Sequence, residues 1–373
     1  MSDLIYFDNA ATTYPKPNCV YEAINEGMQK YSFNAGRGSY KVANETHKMI
    51  DSTREKIASL VKTEKNQVIF TSSATESINN IIYGLNLNER DNIYVSPFEH
   101  NAILRTLHKC NVNIIIIPFD KTTWELDVEK LKNMMILNKP KAVIISHISN
   151  VTGFLLPYED IFNLSKIFGS INILDSAQGF GVYSIVKENI DFIVFAGHKS
   201  LYAMFGIAGY INLSNIQLSP YKVGGTGSDS LNLDMPDIFP SRYEAGSLNS
   251  VGIYSIYSSI NFLKNAKFDI IKKRLVEYFI KQARELKNVV LYLPKNYISY
   301  GIVSFNLLGY SSDEVGTILS EDYDICVRTG YHCAPFVHDF IDSKKYAGTV
   351  RVSFSGFNTK EEIDTLIDAL KEF

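Results

Sequence analysis

An acidic residue and a lysine each stand just after a short, largely apolar run of this chain. Asp175 follows the run 171–174, and Lys199 follows the run 191–195 after Gly197-His198. The runs indicate buried strands, and parallel strands deliver the residues after them to one edge of a sheet. A lysine so placed can form a Schiff base with an aldehyde, while a carboxylate can keep a pyridine nitrogen protonated, so the pair fits pyridoxal 5'-phosphate (PLP). The alternative is a solvated ion pair at the strand ends.

A phosphate site is the second candidate feature. The stretch 71–76, Thr-Ser-Ser-Ala-Thr-Glu, follows the strand-like run 68–70 and opens a segment with apolar residues at helical spacing. Backbone N–H groups and the helix dipole favour a phosphate at such a start, which makes Ala74 and Thr75 candidate phosphate contacts. An ordinary N-cap with Glu76 in the first turn explains the same residues.

Two further polar groups follow predicted strands. His100 comes after the strand at 92–96, and Asn150 comes after the strand at 142–146. A lone histidine in this position is more often structural than catalytic, so the position of His100 at the same sheet edge is what makes it a candidate.

These residues belong to short sequence blocks that are spread over nearly the whole chain. The order and spacing of the blocks resemble those of the PLP-dependent cysteine desulfurases, a family within the class V aminotransferases of fold type I. The blocks are 6–13, 149–153, 175–178, 197–199, 244–247, 328–335 and 349–355.

The resemblance implies a role for each residue around the cofactor ring. Lys199 would be the Schiff-base lysine, Asp175 would pair with the pyridinium nitrogen, and Gln178 would hydrogen-bond the ring hydroxyl. His100 would stack on the ring, where its imidazole covers the π-face and has a nitrogen available for proton transfer.

At the phosphate, the resemblance implies contacts from Thr75 and Ala74 at the helix start and from His198. Ser247 matches a position that reaches the phosphate of the neighbouring subunit, which implies a homodimer with a shared active site. Asn150 and Arg351 match the residues that hold the substrate carboxylate, because a guanidinium offers two parallel charge-assisted hydrogen bonds. Arg328 is a further candidate at the substrate.

Cys333 distinguishes sulfur chemistry from transamination, which needs no thiol. A thiolate that attacks the sulfur of bound cysteine would leave alanine and a cysteine persulfide. Arg328 and His332 are near Cys333 in sequence and could lower its pKa. Free cysteines are usually buried, and Cys19, Cys110 and Cys326 are expected to be so. Cys333 differs because it lies in a loop with Gly330 and Pro335.

Two departures from the family pattern stand out, at Ala196 and at the stretch 201–206. Ala196 occupies a position that is often a hydroxyl residue in contact with the phosphate, so one hydrogen bond is expected to be missing. The stretch 201–206 replaces a usual Gly-Pro turn. The glycine-rich stretch 224–230 lacks the P-loop lysine and the dinucleotide spacing, and is expected to be a mobile loop beside the active site.

Composition agrees with a globular enzyme. Of the 373 residues 21% are charged, and the formal net charge is −3, which gives no electrostatic case for binding nucleic acid or a membrane. No apolar run approaches the roughly 18 residues that a membrane helix needs. Four cysteines without paired spacing indicate a reducing compartment, and with no leader-like start the expectation is cytoplasmic. No cysteine or histidine spacing indicates a metal site.

Alternating strand and helix signals from about residue 66 to 212 predict an α/β fold of PLP fold type I, with a mostly parallel seven-stranded sheet. We expect a large PLP-binding domain at 21–255 and a smaller α+β C-terminal domain at 256–373, completed by residues 1–20. A long helical stretch is predicted from Tyr254 to Leu286. A final helix is predicted with Thr359 and Glu362 as a capping box.

The leading hypothesis is therefore a cysteine desulfurase that converts L-cysteine to L-alanine through a Cys333 persulfide. It would pass the sulfur to an acceptor, which could be a protein. The first alternative is a class V aminotransferase, or a selenocysteine or cysteine-sulfinate lyase, in which Cys333 is dispensable. The second is a sulfur carrier or scaffold without catalysis, which the intact Lys199 disfavours.

Overall fold

The computed structural model describes residues 4–35, 40–227, 231–294 and 300–373. Its strands are β1 (Ile5–Tyr6), β2 (Val68–Thr71), β3 (Asn92–Val95), β4 (Asn113–Ile116), β5 (Pro140–Ser146), β6 (Ile171–Asp175), β7 (Phe192–Ala196), β8 (Ala208–Asn212), β9 (Val289–Leu291), β10 (Ile302–Leu307), β11 (Ile325–Cys326) and β12 (Val350–Ser353). Its helices are α1 (Asn18–Lys30), α2 (Lys41–Leu60), α3 (Ala74–Gly84), α4 (Asn101–Lys109), α5 (Val128–Leu137), α6 (Tyr158–Ile167), α7 (Ser250–Ala266), α8 (Phe268–Ala283), α9 (Ser312–Tyr323), α10 (Pro335–Phe340) and α11 (Lys360–Lys371).

The central layer is a seven-stranded sheet in the order β2-β8-β7-β6-β5-β3-β4. Every neighbouring pair is parallel except the two that involve β8, which runs against β7 and β2. The strands β6 and β7 are almost wholly buried, as their apolar sequences require when helices cover both faces. The predicted α/β class with a mostly parallel seven-stranded sheet is confirmed.

A second, smaller core forms in the C-terminal part of the chain. Strand β10 lies between β9 and β12 and is antiparallel to both. Helices α8, α9 and α11 contribute apolar side chains to this core, and Phe7 joins it from the N-terminal segment. Strand β1 pairs in parallel with β11, so the start of the chain is tied to the C-terminal unit. The predicted capping box of α11 is present. The Thr359 side chain accepts a hydrogen bond from the Glu362 N–H, and the Glu362 side chain accepts one from the Thr359 N–H.

The prediction of one helical stretch from Tyr254 to Leu286 is wrong in one respect. Lys267 has a φ of 48°, a left-handed conformation that ends α7 and separates it from α8. Directly after it, the Phe268 ring packs against Tyr202 and Phe357. This packing turns α8 away from α7 towards the C-terminal unit, where it contacts α11, while α7 contacts α1 and α2. The limits of the two domains stay a prediction.

Across the described ranges, the structure contains no helix with the length and apolar character needed to cross a membrane.

Candidate active site

One pocket lies at the carboxyl ends of β5, β6 and β7, beside the start of α3 and the residue before α4. Ligands of open α/β sheets bind at this edge. Seven of the residues singled out from the sequence line it: Ala74, Thr75, His100, Asn150, Asp175, Gln178 and Lys199. The sheet topology therefore brings together groups that are far apart in the chain, from Ala74 to Lys199.

Asp175 ends β6 and is 8% exposed. Its Oδ1 accepts a hydrogen bond from the Ala177 N–H at 3.0 Å. Burial raises the pKa of this carboxyl above its ordinary value, while the Ala177 hydrogen bond and the charge of Lys199 act in the opposite direction. A buried carboxylate in this situation is stabilised by a cation placed against it, and a protonated pyridine nitrogen meets that requirement.

Lys199 lies in the turn that follows β7. Burial lowers the pKa of its amine; Asp175 opposes that shift, and the positive charges of Arg351 and Arg328 add to it. A lowered pKa increases the fraction of neutral amine, which is the form that attacks an aldehyde. The surroundings of Lys199 therefore favour the neutral form of its amine.

His100 is the N-cap of α4. Its Nδ1 accepts a hydrogen bond from the Ala102 N–H at 3.0 Å, which assigns the ring proton to Nε2. Burial lowers the pKa of His100 to about 4, with Lys199 and Arg328 adding to the shift. The imidazole is therefore neutral near pH 7, and one of its nitrogens is already occupied by the helix it caps.

The start of α3 offers backbone amides to the same pocket. Ser73 caps the helix, and its Oγ accepts from the Glu76 N–H at 3.1 Å. The first amides of a helix have no partner within the helix, so those of Ala74 and Thr75 are suited to an anion.

The other predicted phosphate contact, His198, lies in the turn before Lys199. Its ring stacks on Phe205 with the centroids 4.6 Å apart, and burial lowers its pKa to about 4. Within the described part of the chain, its buried Nδ1 has no hydrogen-bond partner. Phe205 belongs to the stretch 201–206 that departs from the family pattern, and it covers one face of this ring.

Arg351 lies on β12 and is 2% exposed. Its Nη1 donates to the Asn150 carbonyl at 2.8 Å, and its Nη2 donates to Asp8 Oδ1 at 2.5 Å. Arg328 joins it through backbone hydrogen bonds between the two residues. Arg351 therefore connects Asn150 to the C-terminal unit, and Asp8 supplies an internal carboxylate to the guanidinium. The sequence reasoning missed Asp8, although it lies inside the first matching block, 6–13.

Cys333 is exposed, in the loop between β11 and α10. Its carbonyl accepts from the Asn101 N–H at 2.6 Å, and the carbonyl of His332 accepts from Asn150 Nδ2 at 2.8 Å. Two residues of the Lys199 pocket region thus hold the loop from the side of the large sheet. His332 and Cys333 have φ values of 46° and 56°, a region that non-glycine residues seldom adopt.

His332 is buried, whereas its neighbour Cys333 is exposed. The Nε2 of His332 lies 2.8 Å from Thr349 Oγ1. Burial and the nearby arginines lower its pKa well below the ordinary value, so it is neutral and supplies no positive charge to Cys333. The expectation that the other cysteines are buried is wrong, because Cys19, Cys110 and Cys326 are all half-buried.

Ser247 does not join the Lys199 pocket. It is exposed and lines a separate cavity with the Arg54–Glu244 ion pair and the residues 225–227 of the glycine-rich stretch. Residues 228–230 of that stretch lie outside the described residues, so the expected mobile loop is described only as far as Gly227.

Comparison with known proteins agrees with this arrangement. The family model for class-V aminotransferases matches residues 5–366. A probable cysteine desulfurase of Borreliella burgdorferi is 31% identical over 99% of this chain and 91% of its own length. A probable cysteine desulfurase of Methanothermobacter thermautotrophicus is 28% identical over 100% of this chain and 95% of its own length. The apo structure of a cysteine desulfurase from Thermococcus onnurineus NA1 superposes with a TM-score of 0.90 at 28% identity, and covers 100% of this chain and 94% of that one.

The fold and the pocket define a class-V aminotransferase, a class of enzymes that depend on PLP. Within that class the chain belongs to the cysteine desulfurase family.

Proposed function

We propose that this protein converts L-cysteine to L-alanine with PLP bound at Lys199, receives the sulfur on Cys333 as a persulfide, and passes it to a thiol acceptor. The observation that carries the proposal is the hydrogen bond of 2.6 Å from the Asn101 N–H to the Cys333 carbonyl. It ties the thiol-bearing residue to the first residue of α4, directly beside His100, while the Cys333 side chain stays exposed.

The pocket fits PLP in three respects. Lys199 has a lowered pKa, Asp175 is a buried carboxylate that needs a cation, and α3 presents its first amides. Bound there, PLP would bind the substrate amine covalently and act as an electron sink that weakens the bond between the substrate's β-carbon and sulfur. Seven residues would hold the cofactor: Lys199, Asp175, Gln178, His100, Thr75, Ala74 and His198.

The substrate is held by groups that the described contacts already orient. Arg351 and Asn150 would bind the carboxylate, with Arg328 beside them. Because Asp8 already pairs with Arg351, the bound carboxylate would share or replace that internal partner. The neutral His100 would carry a proton at Nε2, since its Nδ1 accepts from Ala102.

The sulfur step balances without an added oxidant. The Cys333 thiolate attacks the substrate sulfur, the carbon–sulfur bond breaks, and the carbon keeps the electron pair and takes up a proton to become alanine. The products are alanine and Cys333 with one added sulfur, one of the reversible modified forms of cysteine. A thiol of the acceptor then attacks the outer sulfur and regenerates the Cys333 thiol. A cytoplasmic location would keep that thiol reduced.

A homodimer is part of the proposal. Ser247 lies outside the pocket that contains Lys199 of the same chain, which supports its reaching the phosphate site of a second copy. Sedimentation of the PLP-loaded protein tests this point, and a monomer that is fully active would contradict it.

The deciding experiment compares PLP-loaded wild type with Cys333→Ala. Alanine and sulfide are measured from L-cysteine, and the Cys333 peptide is examined by mass spectrometry for a persulfide. Cys110→Ala is the matched control, because Cys110 is a half-buried thiol at the other end of α4. We expect wild type and the control to form both products, and Cys333→Ala to lose sulfur transfer.

The opposite result is expected if the protein is a class V aminotransferase or a lyase in which Cys333 is dispensable. If Cys333→Ala retains full turnover of cysteine, or if neither protein acts on cysteine while both transaminate another amino acid, Cys333 has no catalytic role and the proposal is wrong.

A further inference from the structure

The N-terminal segment 8–16 crosses the turn that carries Lys199, and four donors of this segment reach one atom of the turn. The carbonyl oxygen of His198 lies 3.1 Å from the Thr13 nitrogen, 3.1 Å from Thr12 Oγ1, 3.2 Å from Thr13 Oγ1 and 3.0 Å from Lys16 Nζ. A carbonyl oxygen has two lone pairs, so these four donors exceed what it needs for satisfaction. The carbonyl belongs to the peptide bond between His198 and Lys199.

Lys16 is the one ionisable donor of this group. Its Nζ also donates to Thr13 Oγ1 at 2.7 Å, and in the described part of the chain no carboxylate lies within ion-pair distance of it. The side chain is half-buried, and burial lowers its pKa to about 7. A surface lysine would place its ammonium group in solvent. Lys16 instead directs it at the backbone next to the predicted Schiff-base residue.

The rest of the turn is held through other atoms. The Tyr202 N–H donates to the Lys199 carbonyl at 2.9 Å, and the Ala203 N–H donates to the Gly197 carbonyl at 2.8 Å. Neither contact restrains the peptide plane between His198 and Lys199. Rotation of that plane would redirect the Lys199 side chain. The same N-terminal segment receives a hydrogen bond from Gln178 at the Ala10 carbonyl, 2.9 Å away. The segment thus touches the cofactor pocket at two points.

We propose that Lys16 is a positioning residue for Lys199, which holds the His198–Lys199 peptide in the orientation that directs the lysine amine into the pocket. The inference rests on the proposed function only in that Lys199 binds PLP. Lys16 itself touches neither the substrate nor the reacting atoms in this role.

The test uses the PLP-loaded protein with Lys16→Met, Lys16→Arg and Thr12→Val. Lys30→Met is the control, because Lys30 is exposed at the end of α1 and its only ion-pair partner in the described chain is Glu26. For each protein, kcat and KM for cysteine, the visible absorbance of the bound cofactor and the thermal midpoint are measured. A small misplacement of a reacting group costs about tenfold to a hundredfold in rate.

We expect Lys16→Met to lower kcat by at least about tenfold with KM nearly unchanged, and to shift or weaken the visible band. Lys16→Arg, which keeps an N–H donor, should recover much of both, and Thr12→Val should show a smaller effect in the same direction. Lys30→Met should match wild type.

Two results would overturn the proposal. In one, Lys16→Met keeps the wild-type band and kcat, even where its thermal midpoint falls. In the other, Lys16→Arg lowers kcat and weakens the band as much as Lys16→Met does, so an N–H donor at this position makes no difference to the orientation of Lys199. Failure of the proposed function looks different. If the wild-type band persists and depends on Lys199 but cysteine is not turned over, the spectral comparison still decides the role of Lys16. If wild type shows no band, PLP binding is wrong and this inference falls with it.

Discussion

The turn at Lys199 and the loop at Cys333 hold their reactive side chains in opposite ways. Lys199 follows a buried central strand, and donors from the N-terminal segment converge on the preceding carbonyl. Cys333 lies at the surface, and the large-sheet side holds its loop through one hydrogen bond from Asn101 and one from Asn150. The two backbones also differ, because Cys333 and His332 both have positive φ values.

The difference follows from what each group is proposed to do. An amine that binds a cofactor needs a lowered pKa and one fixed direction, and burial supplies both. A thiol that takes sulfur from the pocket and gives it to an acceptor needs to border the pocket and also to face solvent. The strained backbone at 332–333, where each residue costs about 1–3 kcal/mol, persists only because neighbouring contacts determine the loop.

The strongest test of this comparison is Lys199→Ala set against Cys333→Ala. We expect Lys199→Ala to lose the visible cofactor band and at least about a thousandfold in alanine formation, because both depend on the buried amine. Cys333→Ala should keep the band. Absorbance spectra and alanine assays of the two PLP-loaded variants measure this directly. Equal spectra for the two variants would refute the division of roles.

A smaller effect is expected from His332→Ala, which tests how the loop that carries Cys333 is held. His332 anchors the loop through Nε2 to Thr349, so its loss lets the backbone at 332–333 relax. We predict about tenfold slower persulfide formation on Cys333 in a single turnover, equivalent to one buried hydrogen bond of about 1.4 kcal/mol, with the cofactor band unchanged.

The control for this prediction is His108→Ala, which replaces an exposed histidine in the last turn of α4. It should leave persulfide formation at the wild-type rate. If His332→Ala also forms the persulfide at that rate, the hydrogen bonds from Asn101 and Asn150 are sufficient to hold the loop.

The smallest predicted effect is on the pH dependence of stability, through His147, which is buried directly after β5. Burial lowers the pKa of His147 from the usual 6.5 to about 4, so between these values the unfolded chain binds a proton that the folded chain does not. Stability from this group is therefore complete above about pH 6.5 and falls as the pH drops towards 4.

His147→Gln removes this contribution while the charges elsewhere stay the same. Urea unfolding at pH 7 and pH 5 should show that the wild type loses about 1–2 kcal/mol more than the variant on acidification. Glu99, whose burial raises its pKa to about 7, acts in the opposite direction in both proteins and cancels in the difference. An equal loss in both proteins would mean that His147 is protonated in the folded state.

Much of the architecture could be predicted from local pattern. Apolar runs such as 171–174 and 192–195 form buried parallel strands because only strands covered on both faces are so uniformly apolar. The start of α3 and the capping box of α11 were also readable, because a cap is a contact between residues three positions apart. The break at Lys267 was not readable, since it depends on Phe268 packing against the distant Tyr202 and Phe357.

The sequence by itself determined the sheet, the residue types at its edge and the family to which the chain belongs. Only the tertiary structure decided that Asp8 pairs with Arg351, that Lys16 and two threonines converge on the His198 carbonyl, and that Asn101 holds Cys333. These contacts join residues that are between 182 and 343 positions apart in the chain. Local propensity extends over one or two turns of chain, so hydrogen bonds between such distant segments exist only once the two cores have packed and brought their edges together.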